Sequence, residues 1–522
     1  MLPWCPERYQ GMTKTGPMGL LVLALATPAR ADQVLDLSGT LAAEQGTYTA
    51  LPFEVPAGVG ELEVQHQGLE ARNTLDFGLL APDGFRCWTG SSTEPSITGA
   101  RAASRGCATG PLTPGAWRVI IGAAWLEVAP APYRLVVALR DQPTLLAQPG
   151  RAPYASAGVL DPAARWYAGD FHVHSNQSND GQASLDELAA FGSQRGLDFV
   201  ALTDHNNAAQ LELIVDAQAR HPDFLFLPGE EVTTYGGHAN ALGLTAWVSH
   251  LVGLDGRTIE QVATDVHAQG ALLSLNHPTL DVGELCLGCA WEHALEAAQV
   301  DAVEVCSSDI AGTWPVLGDS AIELWDGLCA QGRHVAALGG SDAHWLPAEP
   351  GGVEIQPGTP TTLVFAEGLG VAPLLEGIRA GRTVVKLRGP GGPMIELSSQ
   401  PPPAGDTVTG SARLTALVRG GQGQVLRWVR GGRVSEERAI DAEPFLAELQ
   451  VEAPEQGELR VRVEVRDGQG MPLALTSHLW IAPDEEEAGG GCASAGPGAV
   501  SLTAFICLLP WRLRRGRKEE TP

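Results

Sequence analysis

Lysine is nearly missing from this chain: after Lys14 the next is Lys386, and the stretch between holds none. That interval therefore excludes a Schiff-base lysine, a lysine-bearing phosphate loop and a metal pair bridged by a carbamylated lysine. Positive charge as a whole is scarce, with 34 Lys and Arg against 61 Asp and Glu and a formal net charge of −27. A surface that neutralises a phosphate backbone needs a clustered basic excess, so the composition argues against nucleic acid as a partner and for a small-molecule substrate. Cys286-x-x-Cys289 is not followed by a second pair of that spacing, so half a zinc ribbon is absent and a structural role is favoured.

What is present begins with Lys14, the apolar run Met18 to Ala26 and the small-x-small triplet Ala29-Arg30-Ala31. Residues 1–31 read as a secretory signal peptide with the mature chain starting near Asp32, and Met12 is an alternative start. Export implies an oxidising compartment, in which Cys87, Cys107, Cys286, Cys289, Cys306 and Cys329 form an even set. Cys87 with Cys107 is the favoured disulfide, since both lie in one small β-rich segment; the other pairings stay open.

At 522 residues the chain exceeds one ordinary core, and the pattern divides it. Residues 32–142 show short alternating runs such as Trp117-Arg118-Val119-Ile120-Ile121 between turn signals, which predicts an antiparallel β-sandwich. Residues 143–165, rich in Pro, Ala and Gly, read as a linker. From 166 to 388 apolar strand candidates alternate with amphipathic stretches at Leu185–Arg195, Ala208–Arg220, Ile259–Gln269, Trp291–Ala298, Ser320–Gln331 and Val371–Ala380, which predicts a parallel sheet or barrel. Residues 389–483 return to β alternation and predict a second small sandwich. An acidic, glycine-containing linker over 484–492 leads to an apolar segment, 493–511, and a basic tail, 512–522. Such a segment predicts a membrane span with its arginines cytoplasmic. Cys492, the apolar run and Arg512, Arg514 and Arg515 together resemble the MYXO-CTERM class of sorting tails, which implies processing at Cys492 and a protein held at the cell envelope or surface.

Within 166–388, metal-ligating side chains recur just after apolar strands. They are His172 and His174, Asp180, His205, Glu231, His238, His277, Asp342 and His344. Imidazole and carboxylate suit Zn²⁺, Mn²⁺ or Fe²⁺, and nine such ligands exceed what one ion uses, so two or three divalent ions sharing a carboxylate are implied. His66, His221, His250, His267, His293, His334 and His478 follow no motif and read as ordinary core or surface residues.

His172-x-His174, Asp180, Thr203-Asp204-His205, Gly229-x-Glu231, His238, His277-Pro278 and Asp342-x-His344 resemble, in order, the motifs of the PHP (polymerase and histidinol phosphatase) domain. The resemblance implies a distorted (βα)7 barrel, here flanked by the two sandwiches. It also implies hydrolysis by a hydroxide shared between ions. It puts His172, His174, Glu231 and Asp342 on a first ion. Glu231 bridges to a second, held with His238 and His277, while Asp180, His205 and His344 take a third. Glu231, Asp342 and His238 are the expected catalytic centre. Asp180 departs from the family, in which many members have histidine, and this predicts a weaker or harder third site. Glu230 competes with Glu231 for the bridge, and the Gly-x-Glu spacing favours Glu231. Asp204 is expected to orient a ligand imidazole, and Asn206, Asn240 and Asn276 to line the pocket.

Gly84-Phe85-Arg86-Cys87-Trp88, Pro228-Gly229-Glu230-Glu231-Val232-Thr233, Gly237-His238-Ala239-Asn240 and Gly381-Arg382-Thr383 look like the exported CehA/McbA branch, which implies carbamate, ester or amide hydrolysis as the alternative to phosphoester cleavage. An amidohydrolase barrel also opens with His-x-His but ordinarily needs the bridging lysine that is absent here. A third reading, from another class, is a surface-anchored binding protein with the barrel as scaffold.

Overall fold

The computed structural model describes residues 32–283, 286–294, 296, 299–307, 318–347 and 355–484. The expected signal peptide, most of the acidic linker, Cys492, the apolar segment 493–511 and the basic tail lie outside the described residues. Among the described residues no helix is long and apolar enough to cross a membrane.

The region that carries the ligand motifs is built on nine strands: β1 (Arg165–Val173), β2 (Phe199–Leu202), β3 (Leu225–Thr234), β4 (Gly237–Leu242), β5 (Leu272–Leu275), β6 (Ala302–Ser307), β7 (Ala336–Gly340), β8 (Thr361–Ala366) and β9 (Thr383–Lys386). Their order in the sheet is β7-β6-β5-β4-β3-β2-β1-β8-β9. Strands buried on both faces read as continuous apolar runs, and β2, Phe-Val-Ala-Leu, and β5, Leu-Leu-Ser-Leu, are of that kind. The sheet curls: Val173 at the end of β1 pairs with Ala343, just past β7 at the far end of the strand order.

Five helices pack on this sheet among the described residues: α1 (Leu185–Gln194), α2 (Leu211–Arg220), α3 (Ile259–Ala268), α4 (Gly318–Cys329) and α5 (Val371–Arg379). α1 and α3 start where the sequence supplies capping boxes, Ser184 with Glu187 and Thr258 with Gln261. Apolar residues at helical spacing, such as Leu185, Leu188 and Ala189 of α1 and Val262, Ala263 and Val266 of α3, are buried in the core that also holds Val200, Leu202 and Leu273 of the sheet. The stretch 291–298 forms no helix over its described residues.

The expected (βα)7 barrel is met only in part. β1/β2, β2/β3, β5/β6 and β6/β7 are parallel, but β3/β4, β4/β5, β1/β8 and β8/β9 are antiparallel, so the sheet is mixed and forms a curled half-barrel. The physical reason is local at β3–β4: Thr234 pairs with Gly237, leaving a two-residue turn too short for a crossover helix. On its other side the sheet does not stop near residue 388, since β9 pairs antiparallel with Pro472–Thr476 and carries the ladder into the C-terminal region.

The N-terminal region is antiparallel β throughout. Strands Tyr48–Val55, Gly115–Leu126, Asn73–Ala81 and Gly84–Gly90 form one sheet; Gln33–Asp36, Ala131–Arg140, Glu61–Gly68 and Ser96–Gly99 follow one another in another, with Gly39–Leu41 also on Ala131–Arg140. Leu62, Val64, Phe77, Trp117, Val119, Leu135 and Val137, drawn from both sheets, share one buried core. Cys87 and Cys107 are joined by a disulfide, as are Cys286 and Cys289, whereas Cys306 and Cys329 are free and buried. The even set of six therefore does not pair completely: β6 and α4 each bury one thiol as an apolar side chain.

Candidate metal centre

Parallel strands end at one rim of the curled sheet, and the loops that leave them bring the motif residues together. His172 closes β1 and His174 follows it; His205 follows β2, His277 follows β5, and Asp342 and His344 follow β7. Glu231 and His238 come from β3 and β4, and Asp180 from the loop before α1. The turns at this rim hold non-glycine residues in left-handed backbone: Asn206 at φ 54°, His277 at 29° and Asp342 at 56°. Such positions are costly and concentrate where geometry is imposed by function. Gly340 allows the approach of β7 to β1, since a Cβ there would collide with His172 and the Glu304 carboxylate.

Three sets of ligand atoms converge, each within 4.8 Å: His172, His174, Glu231 and Asp342; Glu231, His238 and His277; and His174, Asp180, His205 and His344. Glu231 lies between the first two. Its Oε1 is 3.3 Å from His172 Nε2, 3.2 Å from His238 Nδ1 and 3.4 Å from His277 Nε2, while Oε2 is 2.6 Å from His205 Nδ1 and 3.6 Å from His174 Nε2. Asp342 Oδ1 is 3.2 Å from His172 Nε2 and 3.0 Å from His174 Nε2. In the third set Asp180 Oδ2 stands 3.3 Å from His205 Nε2 and 3.4 Å from His344 Nε2, and those two nitrogens are 3.4 Å apart. All nine residues named from the sequence are thus brought together, His174 lying in two sets.

The donor set fits cations. His172 Nε2, Glu231 Oε2 and His238 Nδ1 are buried and make no aligned hydrogen bond, although opposite charge lies nearby. Buried polar atoms are rarely left so, and here they face a common centre. Burial opposes ionisation of Glu231, but His172, His205 and His238 around it outweigh that and hold its carboxyl well below the ordinary range. Burial also opposes charge on Asp342, and His172 and His344 overcome it in the same direction. His174, desolvated and crowded by His344 and His205, is pushed down to about 3 and is neutral, the form that ligates. Carboxylates that stay ionised among converging imidazoles are what Zn²⁺, Mn²⁺ or Fe²⁺ sites are made of.

A second layer fixes these ligands. Glu304 of β6 reaches His172 Nδ1 at 3.2 Å and accepts the His277 backbone N–H at 2.8 Å. Asp170 of β1 accepts backbone N–H groups from His172, Ser341 and Gly358, so it ties the β1 and β7 ends together. Ser178 Oγ donates to Asp180 at 2.8 Å, and Thr233 Oγ1 lies 2.7 Å from His205 Nδ1. None of these four was singled out from the sequence. Glu304 did carry a signal, as the lone carboxylate in the apolar strand Ala-Val-Glu-Val-Cys-Ser.

Of the residues expected nearby, Asn276 donates to Glu231 Oε1 at 3.0 Å and to Asn240 Oδ1 at 2.8 Å, so both lie beneath the centre rather than along a pocket wall. Asn206 exchanges hydrogen bonds with the Thr233 backbone and lines the cleft. Asp204 departs from its expected role: its carboxylate takes the N–H and hydroxyl of Ser175 at 2.5 and 2.6 Å, so it holds the β1–α1 loop and hydrogen-bonds no imidazole. Glu230 points to the opposite face of β3, as strand alternation requires, and accepts the Val248 N–H. Glu231 alone of the two is placed to bridge.

The centre opens into a cleft of about 500 Å³ that Asp180, His205, His238, His277, Asp342 and His344 line. Asp180 is its exposed edge, with 42% of the side chain accessible against none of Glu231. The N-terminal region forms the facing wall: Tyr48, Asp76 and Trp88 lie there, and Tyr235 of the β3–β4 turn donates to Asp76 at 2.7 Å. No Lys or Arg lines the cleft among the described residues.

No curated protein matches this chain. Among solved structures, a two-domain protein with a predicted PHP-like metal-dependent phosphoesterase from Bacteroides vulgatus is 18% identical; the match covers 63% of this chain and 100% of that one, with a TM-score of 0.38. An amidohydrolase from Chromobacterium violaceum with bound sulfate and no metal is 18% identical over 36% of this chain and 90% of its own, with a TM-score of 0.25. The CARDB domain of a Pyrococcus furiosus protein is 11% identical over 18% of this chain and 97% of its own, at a TM-score of 0.14. A protein-family model of the PHP domain matches residues 170–281, from Asp170 near the end of β1 past His277.

Proposed function

We propose that this protein is an exported metal-dependent hydrolase that cleaves a phosphoester in a small-molecule substrate. The single observation that carries the reading is the convergence of nine imidazole and carboxylate ligands on three overlapping sets, with Glu231 common to two. The PHP match over 170–281 favours phosphorus as the point of attack. Divalent ions held by these residues would supply a water of lowered pKa and Lewis acidity toward the scissile group.

The chain's own part is to hold, orient and neutralise. His172, His174, Glu231 and Asp342 would hold one ion, Glu231, His238 and His277 a second, and Asp180, His205 and His344 a third. Glu304 keeps His172 turned with Nε2 inward, and Asn276 steadies the Glu231 carboxylate from below. With no lysine or arginine on the cleft wall among the described residues, negative charge developing on the substrate must be met by ions, imidazoles and backbone amides.

That same absence supports a second reading, cleavage of an uncharged carbamate, ester or amide, as the CehA/McbA resemblance implies. Tyr48, Trp88 and Trp345 give the cleft aromatic surface for such a substrate. Loading the full chain with Mn²⁺ or Zn²⁺ and comparing a phosphodiester, a phosphomonoester, a carboxyl ester and an aryl carbamate separates them, with His172→Ala alongside. Phosphoester cleavage that the variant loses supports the first reading; dominant carbamate or ester cleavage moves the protein to the second. No metal-dependent turnover on any of the four removes the hydrolase reading and leaves a surface binding protein. Export and envelope anchoring through Cys492 and 493–511 are part of the proposal, checked by fractionating cells that express the full chain.

A further inference from the structure

The short turn that the Cys286–Cys289 disulfide closes lies directly behind two of the ligand imidazoles. The Leu287 carbonyl is 3.2 Å from His238 Nε2, and the Cys289 carbonyl is 3.4 Å from His277 Nδ1. The opposite nitrogen of each ring, His238 Nδ1 and His277 Nε2, faces Glu231 Oε1 at 3.2 and 3.4 Å. A carbonyl only accepts, so each of these contacts holds a ring proton on the outer nitrogen and reserves the inner nitrogen, which faces Glu231, for an ion once one is bound. The two rings use opposite tautomers, and one four-residue turn selects both.

Residues 286–289 belong to no helix or strand. Gly288 sits at φ 77°, and a Cβ there would meet the Thr234 carbonyl at 2.5 Å, so the turn packs against the β3–β4 turn that carries His238. Cys289 is buried with Leu280 and Ala321, whereas Cys286 reaches the cleft wall. The disulfide is the covalent restraint between these ends.

We infer that the disulfide-closed turn 286–289 is a positioning clamp for His238 and His277, so that opening it empties the ion site these residues form with Glu231 and spares the other two. The inference rests on the metal-hydrolase reading. Reduction by a dithiol would break the S–S bond, leave two thiols and close the dithiol into its own disulfide, and reoxidation would restore the clamp.

The test is ion stoichiometry of the full-length protein, measured by elemental analysis after equilibrium dialysis against Zn²⁺. Cys286→Ser/Cys289→Ser is expected to hold one ion fewer per chain, or to bind its weakest-held ion at least tenfold less tightly, at an unchanged melting temperature of the remaining fold. Gly288→Ala keeps the disulfide but displaces the turn, and is expected to weaken the same ion; it serves where the serine variant fails to fold. Cys87→Ser/Cys107→Ser is the control and should keep full stoichiometry. Reduced wild-type protein should lose the ion and regain it on reoxidation. Full stoichiometry with affinity within twofold in the serine and alanine variants overturns the clamp, as does equal loss in the control. Tighter binding on reduction also overturns it, because both Sγ atoms lie near His238 and would then be ligands themselves. A wild type that binds no divalent ion overturns the hydrolase reading and the clamp together, whereas ion-binding wild type with unaffected variants overturns the clamp alone.

Discussion

Two buried clusters of charge in this molecule are balanced by different means. Where α4 meets the C-terminal strand Leu459–Arg466, Asp326 lies 2.9 Å from Arg460, 2.5 Å from Arg462 and 3.4 Å from His478. Glu464 lies 2.8 Å from Arg462 and 2.7 Å from Arg466. Each of these carboxylates faces two guanidinium groups that keep their charge at all working pH, one on each oxygen. At the sheet rim, Glu231, Asp342 and Asp180 face six imidazoles and, among the described residues, no guanidinium. Imidazole is a weak and conditional cation, and His205 Nε2 and His344 Nε2 share one acid, Asp180, while lying 3.4 Å from each other. The first cluster is balanced as folded; the second is arranged so that it could hold cations. Burial alone does not mark a functional site; here several buried acids and imidazoles converging on one centre do.

The sharpest way to break the comparison is Glu231→Gln. It removes the charge common to two ion sets, so ion content should fall by two and kcat/KM by at least about a thousandfold, measured by elemental analysis and steady-state kinetics. Asp326→Asn is the mirror experiment. It takes the carboxylate from Arg460 and leaves Arg462 with Glu464 alone, and should cost about 3 kcal/mol in denaturant unfolding, with ion content unchanged.

His66 offers a third contrast, a buried imidazole with only neutral partners, Ser96 and Thr89 at 3.0 and 3.1 Å. Burial pushes it down from 6.5 to about 4, so the folded state holds it neutral while the unfolded state protonates. Its contribution is therefore full above about pH 6.5 and is lost as pH falls toward 4. The unfolding free energy across that window should drop by about 3 kcal/mol, and His66→Gln should flatten the slope. The smallest expected effect is at Glu304→Gln, which keeps the shape and weakens the hold on His172: ion affinity about tenfold lower, read by competition with a chelator.

Much of the centre was legible because its ligands are chemically rare residues at the ends of apolar runs. Two imidazoles flanking one valine, and carboxylates following Gly-x and Ser, stand out without coordinates. Glu230 against Glu231 was decidable by strand alternation once Gly-x-Glu had set the register. Asp170 and Glu304 were harder to see, since a single acid in an apolar strand gives no sign of what lies across the sheet; each acts on residues more than a hundred positions away in sequence. Asp204 was misassigned for the same reason, its partner Ser175 being supplied by the neighbouring strand's loop.

By itself the sequence determined most strand and helix segments around the motifs, the set of nine candidate ligands and the Cys87–Cys107 pair, because periodicity, caps and ligand chemistry are local properties. The tertiary structure decided the rest. A two-residue turn made β4 antiparallel and ended the expected barrel, β9 carried the sheet onward, and the N-terminal strands became a wall of the cleft. It also left Cys306 and Cys329 unpaired and placed the Cys286–Cys289 turn behind two imidazoles. Those outcomes depend on which distant surfaces meet, and long-range packing is the one quantity that no window along the chain contains.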